Sequence, residues 1–299
     1  VFILTAKTKF ASVLLGVFIA AVIAAAVWGV WCASSLSRFS SASLSAGTSP
    51  ASGSGPVNIL VTGTDLSKSR TDTIMILSLD RSAGTLTVVS VPRDTLVTIN
   101  GARNKINAAN VLGGAKLLVS KVQELTGVTV NYYATVDYAG FDGLVDSVGG
   151  VDMTIPYNMN YDDPAQDLHI HFTKGAKMHL GGRQAEEFFR WRKNNDGTGL
   201  AEGDIGRTGN QHLMVAAIFS KLKTPLNIAR MPSILSSASK YVKTDMSPGD
   251  IVKYGSAIMR VKKQNITFAT LKGSTPYIGG ISYFVYNAKE NAALIAKLK

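Results

Sequence analysis

Asp72-Thr73-Ile74-Met75-Ile76-Leu77-Ser78-Leu79, then Arg81-Ser82-Ala83-Gly84, then Thr85-Leu86-Thr87-Val88-Val89-Ser90-Val91-Pro92 decides the fold class. The first run is nearly continuous in apolar residues, the pattern of a strand covered on both faces. The quartet 81–84 ends in glycine and reads as a turn. Pro92 stops the second run because it has no N–H to give to a ladder. Upstream, Val57-Asn58-Ile59-Leu60-Val61-Thr62 enters Gly63-Thr64-Asp65, a further strand running into a turn.

Downstream the period changes. Residues 107–125 carry Leu112, Leu117, Leu118 and Val122 on or near one side, and Gly127 ends this predicted helix. Residues 132–136 predict a strand. Phe141, Leu144, Val145 and Val148 form a helical stripe closed by Gly149-Gly150, after which 151–155 is strand-like. Helical signals then dominate over 184–189 and 204–222, with Asp204 expected as an N-cap. A late strand is expected at 265–271 and a closing helix at 288–298. Strands alternating with helices predict an α/β fold, a three-layer α/β/α sandwich around a central mixed sheet.

The N-terminal residues place that domain. No charged residue lies between Lys9 and Arg38, and 10–33 is almost wholly apolar. A helix needs about 20 such residues to cross a bilayer core. A cleaved signal peptide carries an apolar region of only about 7–15, so the reading is a retained single-span transmembrane anchor. Lys7 and Lys9 keep residues 1–9 cytoplasmic by the positive-inside rule, and Trp28 and Trp31 suit the outer interface. Residues 34–56, rich in Ser, Ala and Gly, read as a flexible linker, leaving 57–299 as one extracellular domain. The single cysteine, Cys32, falls at the outer end of the span. The formal charge of +11 rests mostly on the exported part. Outside a cell that suits wall polyanions, anionic headgroups or phosphate substrates, and argues against nucleic acid.

The chemistry-bearing residues cluster in short motifs. Asp72 begins one strand and Asp94 follows the next, so adjacent antiparallel strands would bring both carboxylates to one sheet edge. Aspartates also cap turns, but Arg70 and Arg93 flank this pair. Mg²⁺ is held by one or two carboxylates with waters and phosphate oxygens completing its shell. Arg190 and Arg192 are two apart and share a face only if the chain is extended there. Arg207 and Gln211 are four apart and share a helical face near a helix N-terminus. Guanidinium forks grip phosphate oxygens bidentately. His169-Ile170-His171 fixes no third metal ligand by spacing and reads as a surface strand. Phe188, Phe189 and Trp191 read as core.

In order, Arg70-Thr71-Asp72-Thr73, Pro92-Arg93-Asp94, Lys105-Ile106-Asn107-Ala108-Ala109, Val148-Gly149-Gly150-Val151-Asp152, Gly182 with Ala185, Arg190-Trp191-Arg192, and Gly206-Arg207 with Gln211 resemble the LytR–CpsA–Psr family. The resemblance spans about residues 57–222, plus the anchor. It implies an α/β/α sandwich with an apolar lipid pocket beside the sheet. It also implies a cell-membrane enzyme that moves a glycopolymer phosphate from a polyprenyl pyrophosphate carrier to peptidoglycan, at a muramic acid C6 hydroxyl. By position, Asp72 and Asp94 would hold Mg²⁺. Arg93, Lys105, Arg190, Arg192, Arg207 and Gln211 would grip the pyrophosphate, with Arg93, Asp94, Arg192 and Arg207 expected to be catalytic. A hydrolase using water, or a non-catalytic ectodomain that captures the lipid pyrophosphate, are the alternatives. Two departures stand out: Asn210 occupies a position where the family usually has Arg, and the segment 193–203 is longer than usual.

Overall fold

A computed structural model of the chain describes residues 34, 46–49, 51, 53, 55–64, 71–200 and 204–299. The anchor expected over 10–33, residues 1–9 before it, most of the 34–56 linker and Arg70 lie outside the described residues. Among the described residues, no helix is long and apolar enough to cross a membrane.

The chain runs through β1 (Val57–Thr64), β2 (Thr71–Asp80), β3 (Thr85–Ser90), β4 (Leu96–Ile99), β5 (Ala102–Lys105), α1 (Ala108–Thr126), β6 (Tyr132–Asp137) and α2 (Tyr138–Ser147). Then come β7 (Val151–Thr154), β8 (Met159–Asp163), β9 (Leu168–Phe172), β10 (Lys177–Leu180), α3 (Gly182–Arg190) and α4 (Asp204–Leu222). The C-terminal part holds α5 (Pro225–Ala229), α6 (Met231–Tyr241), β11 (Lys243–Thr244), α7 (Pro248–Arg260), β12 (Ile266–Thr270) and α8 (Ala288–Ala296).

The central sheet is six-stranded and mixed, in the order β11-β6-β1-β2-β3-β12. The hairpin read from the sequence is present: β2 and β3 are antiparallel, from Met75 opposite Ser90 to Asp80 opposite Thr85. β1 is antiparallel to β2 but parallel to β6, and β12 is parallel to β3. The carboxyl ends of β1, β3, β6 and β12 therefore share an edge with the start of β2. Ligands of open α/β sheets collect at such an edge.

Side chains alternate across the pleat. Leu60, Ile74, Ile76 and Val89 pack with Leu118, Val119 and Val122 of α1 and with Ile295 of α8. Ile59, Met75, Leu79, Leu86 and Val88 form the opposite cluster, with Val215 and Phe219 of α4 and Tyr254 of α7. Each fully buried aliphatic side chain contributes about 1.5–3 kcal/mol. A third cluster joins Val145 of α2, Ile170 of β9 and Phe188 of α3 to Trp191. It builds a wall of hairpins and helices beside the sheet.

Two sequence expectations change in the structure. The strand at Val151–Thr154 forms, but pairs only with β10 in a two-stranded ribbon. The helix over 108–126 is kinked at Gly113 (φ −156°) and Gly114 (φ 63°). The break turns Leu112 away from the Leu118–Val122 face, leaving it 56% exposed. Gly127 closes the helix in the left-handed region (φ 64°), donating to Gln123 O.

Candidate active site

The hairpin register builds the first half of the site. Met75 faces Ser90, and Val91 N donates to Ile74 O at 2.9 Å. The residues just beyond, Asp72 and Arg93, therefore meet at the sheet edge, where Arg93 Nη1 lies 2.6 Å from Asp72 Oδ1. α4 approaches from one face: Arg207 Nη2 donates to the backbone oxygen of Asp72 at 3.1 Å, and Gln211 Nε2 to Thr73 Oγ1 at 3.2 Å. The four-residue spacing thus lays both side chains along the start of β2, and both are buried.

Tyr138 closes the other side. It is the first residue after β6, and its hydroxyl donates to Asp72 Oδ2 at 3.1 Å. Burial alone would raise the Asp72 carboxyl, but the Arg93 and Arg207 guanidiniums outweigh it and hold the group below its ordinary value. Burial first, and then the Asp72 charge, push the Tyr138 phenol far upward. One is therefore a standing anion and the other a standing donor.

α3 delivers the next two cations. It ends at Arg190, and Trp191 leaves the helix (φ −60°, ψ 136°). The extended step turns both Arg190 and Arg192 to one cleft, as the spacing required of a non-helical segment. The Arg190 guanidinium lies over the Tyr138 ring, 4.4 Å from its centre. Its Nη1 is 2.7 Å from Glu186 Oε1, and its Nη2 is 2.6 Å from Gln166 Oε1.

The resulting cleft encloses about 80 Å³ and is lined by Arg93, Arg190, Arg192, Lys193 and Arg207 against one carboxylate, Asp72. Tyr138, Tyr161, Gln166 and Leu168 complete it. Asp94 and Lys105 pair with one another at 3.0 Å and do not line this cleft. Gln211 lies behind it on Thr73. Asn210 is buried, and its Nδ2 has no hydrogen-bond partner among the described residues.

Tyr138, Gln166, Tyr161 and Lys193 were missed in the sequence. Only Tyr138 carried a signal, its position just past a strand whose carboxyl end faces the site. His169 and His171 are exposed and converge on Asp162 Oδ1, at 2.6 and 3.2 Å. Phe188 and Trp191 are core, and Phe189 packs on Phe141 with ring centres 5.0 Å apart.

A hard divalent cation fits Asp72, an ionised oxygen donor at the rim of an arginine-lined cleft. No group of three or more His, Cys, Asp or Glu among the described residues is arranged to hold an ion.

The chain is 30% identical over 221 residues to polyisoprenyl-teichoic acid–peptidoglycan teichoic acid transferase TagV of Bacillus subtilis (strain 168), covering 71% of this chain and 54% of TagV. It is 36% identical over 197 residues to the corresponding TagU of Bacillus cereus (strain AH820), covering 64% of this chain and 61% of TagU. The chain thus spans less than two thirds of the length of these curated relatives. The crystal structure of B. subtilis TagV superposes with a TM-score of 0.70 at 28% identity, over 83% of this chain and 97% of that one. The model of the LytR_cpsA_psr family matches residues 34–299, and the chain belongs to that family.

Proposed function

We propose that this protein is a Mg²⁺-dependent phosphotransferase of cell-wall assembly. It moves a glycopolymer phosphate from a polyprenyl pyrophosphate carrier to the C6 hydroxyl of a muramic acid in peptidoglycan. Five cations facing one carboxylate support this reading. Such an excess favours a multiply charged phosphate anion, and a diphosphate fits that requirement. Relatives named as polyisoprenyl-teichoic acid–peptidoglycan teichoic acid transferases point to the same substrate class. The domain would act outside the membrane, held there by residues 10–33.

The acceptor hydroxyl attacks the phosphorus that carries the glycan. A P–O bond to the sugar forms, the phosphoanhydride bond breaks, and polyprenyl phosphate leaves while the hydroxyl proton passes to solvent. Arg192 and Arg207 stabilise charge building on the equatorial and leaving oxygens. Arg190 and Arg93 fix the diphosphate against the Tyr138 wall. Asp72 would hold Mg²⁺ at the cleft, and the cation would supply charge neutralisation to the diphosphate. No nucleotide is required, because the substrate carries its own anhydride.

The test incubates the full-length protein with a prenyl pyrophosphate-linked glycan, with and without peptidoglycan, in Mg²⁺ or EDTA. A covalent glycan–peptidoglycan phosphodiester formed only with Mg²⁺ is expected. Release of prenyl phosphate without that product would make the protein a hydrolase, and unaltered bound lipid would make it a capture domain.

A further inference from the structure

Glu186 is the least expected side chain around the cleft. It is buried on α3, as Ala185 and Phe188 are, and is 2% exposed. A lone carboxylate there would cost several kcal/mol, so it must be compensated. Its two oxygens are taken by two arginines of its own helix, Oε1 by Arg190 Nη1 at 2.7 Å and Oε2 by Arg183 Nη1 at 3.3 Å.

The Arg190 guanidinium is thereby enclosed on three sides. Glu186 holds one edge, Gln166 Oε1 holds another at 2.6 Å, and the Tyr138 ring forms the base. Gln166 is itself oriented, because its Nε2 donates to Asp163 Oδ2 at 2.5 Å. A flexible arginine at a helix end would otherwise sample many rotamers, each costing entropy to fix when substrate arrives.

We propose that Glu186 is a positioning residue of the diphosphate site, holding Arg190 flat on Tyr138 so that the guanidinium is preorganised for phosphate. This rests on the transferase reading and names the group that sets one of its cations. Asp142 of α2 supports it. Burial first, and then the neighbouring Glu186 charge, push the Asp142 carboxyl up to about 7. Asp142 therefore retains its proton under mildly acidic conditions.

A merely structural ion pair between helical turns predicts lost stability and nothing else. A positioning role predicts a binding defect. In the full-length protein, Glu186→Gln is expected to raise KM for the prenyl pyrophosphate-linked glycan about tenfold while kcat stays within about twofold. The decisive measurement is chemical rescue. Arg190→Ala leaves a cage shaped for a guanidinium, so millimolar methylguanidinium should restore transfer in Arg190→Ala but not in Arg190→Ala/Glu186→Gln. Equal rescue in both, or an unchanged KM in Glu186→Gln, would overturn the proposal. Absence of transfer by the unmodified protein would sink the transferase reading instead. In that case the cage is read by thermal unfolding: methylguanidinium should raise the midpoint of Arg190→Ala and leave the double variant unmoved, and an equal response of the two would reject the role of Glu186.

Discussion

The hydroxyl of Tyr138 lies 3.1 Å from Oδ2 of Asp72, while the ring of the same tyrosine carries the Arg190 guanidinium at 4.4 Å. One side chain therefore links the anion of the sheet edge to a cation of α3. Tyr138→Phe keeps the ring and removes only the donor. Transfer should fall about tenfold through a poorly held Asp72, with a stability loss of about 1 kcal/mol. Tyr138→Leu also removes the platform for Arg190 and should lose about a hundredfold, a cation–π contact being worth another ~1 kcal/mol or more. Steady-state transfer rates of the two variants check the order; equal losses would mean that the ring platform under Arg190 contributes nothing and the hydroxyl carries the whole effect.

Arg192 and Arg207 both line the cleft but are built differently. Arg192 is exposed, whereas Arg207 is 6% exposed and tied to the Asp72 backbone. Arg192→Ala should nearly abolish transfer and leave the thermal midpoint in place. Arg207→Ala should abolish transfer and also cost about 2 kcal/mol, because it strips a buried cation from beside a carboxylate. Calorimetric unfolding of both proteins separates the cases.

The hairpin 71–90 was legible because its apolar runs, turn and terminal proline agree with one another. That agreement carried the position of Asp72 beside β3, and the four-residue spacing carried Arg207 and Gln211. What could not be read was which neighbour Asp72 meets. Register brings Arg93, rather than Asp94, into contact with it, and a single residue decides the difference. The helices at 225–260 were also invisible as individuals. Their starts are marked by the caps Thr224 and Ser247 with prolines just inside. Gln166 and Tyr161 reach the cleft from the β8–β9 hairpin, a tertiary approach that has no local signature.

The proton on Asp142 gives a pH signature opposite to that of most carboxylates. Its folded value, about 7, lies above the ordinary 3.8, so the folded protein holds the proton where the unfolded chain releases it. This contribution is complete below about pH 4 and is lost as pH rises through 7. Asp142→Asn mimics the protonated form at every pH. Its advantage over the unmodified protein should grow between pH 4 and 7 and then level off. Allowing for solvent screening of a half-exposed group, about 1 kcal/mol is expected, or ~2–4 °C in Tm for a domain of this size. Thermal scans at pH 5 and pH 8 measure it; an advantage that shrinks as pH rises would reverse the assignment.

Asp72 is the sole carboxylate among the cleft-lining residues. On the proposed function, without a cation it would repel the diphosphate that the surrounding arginines attract, and with one bound it would join the attraction, so the sign of its effect would depend on metal. Asp72→Asn keeps the size of the side chain and removes the charge. In EDTA, inorganic pyrophosphate should bind Asp72→Asn more tightly than the unmodified protein, by about tenfold for one like charge removed at close range. In Mg²⁺ the order should reverse, because the unmodified protein gains affinity and the variant gains little. Isothermal titration of both proteins in both buffers gives the four constants. If Mg²⁺ strengthens pyrophosphate binding equally in the two, the cation is held elsewhere, and Asp72 serves only to gather Arg93 and Arg207.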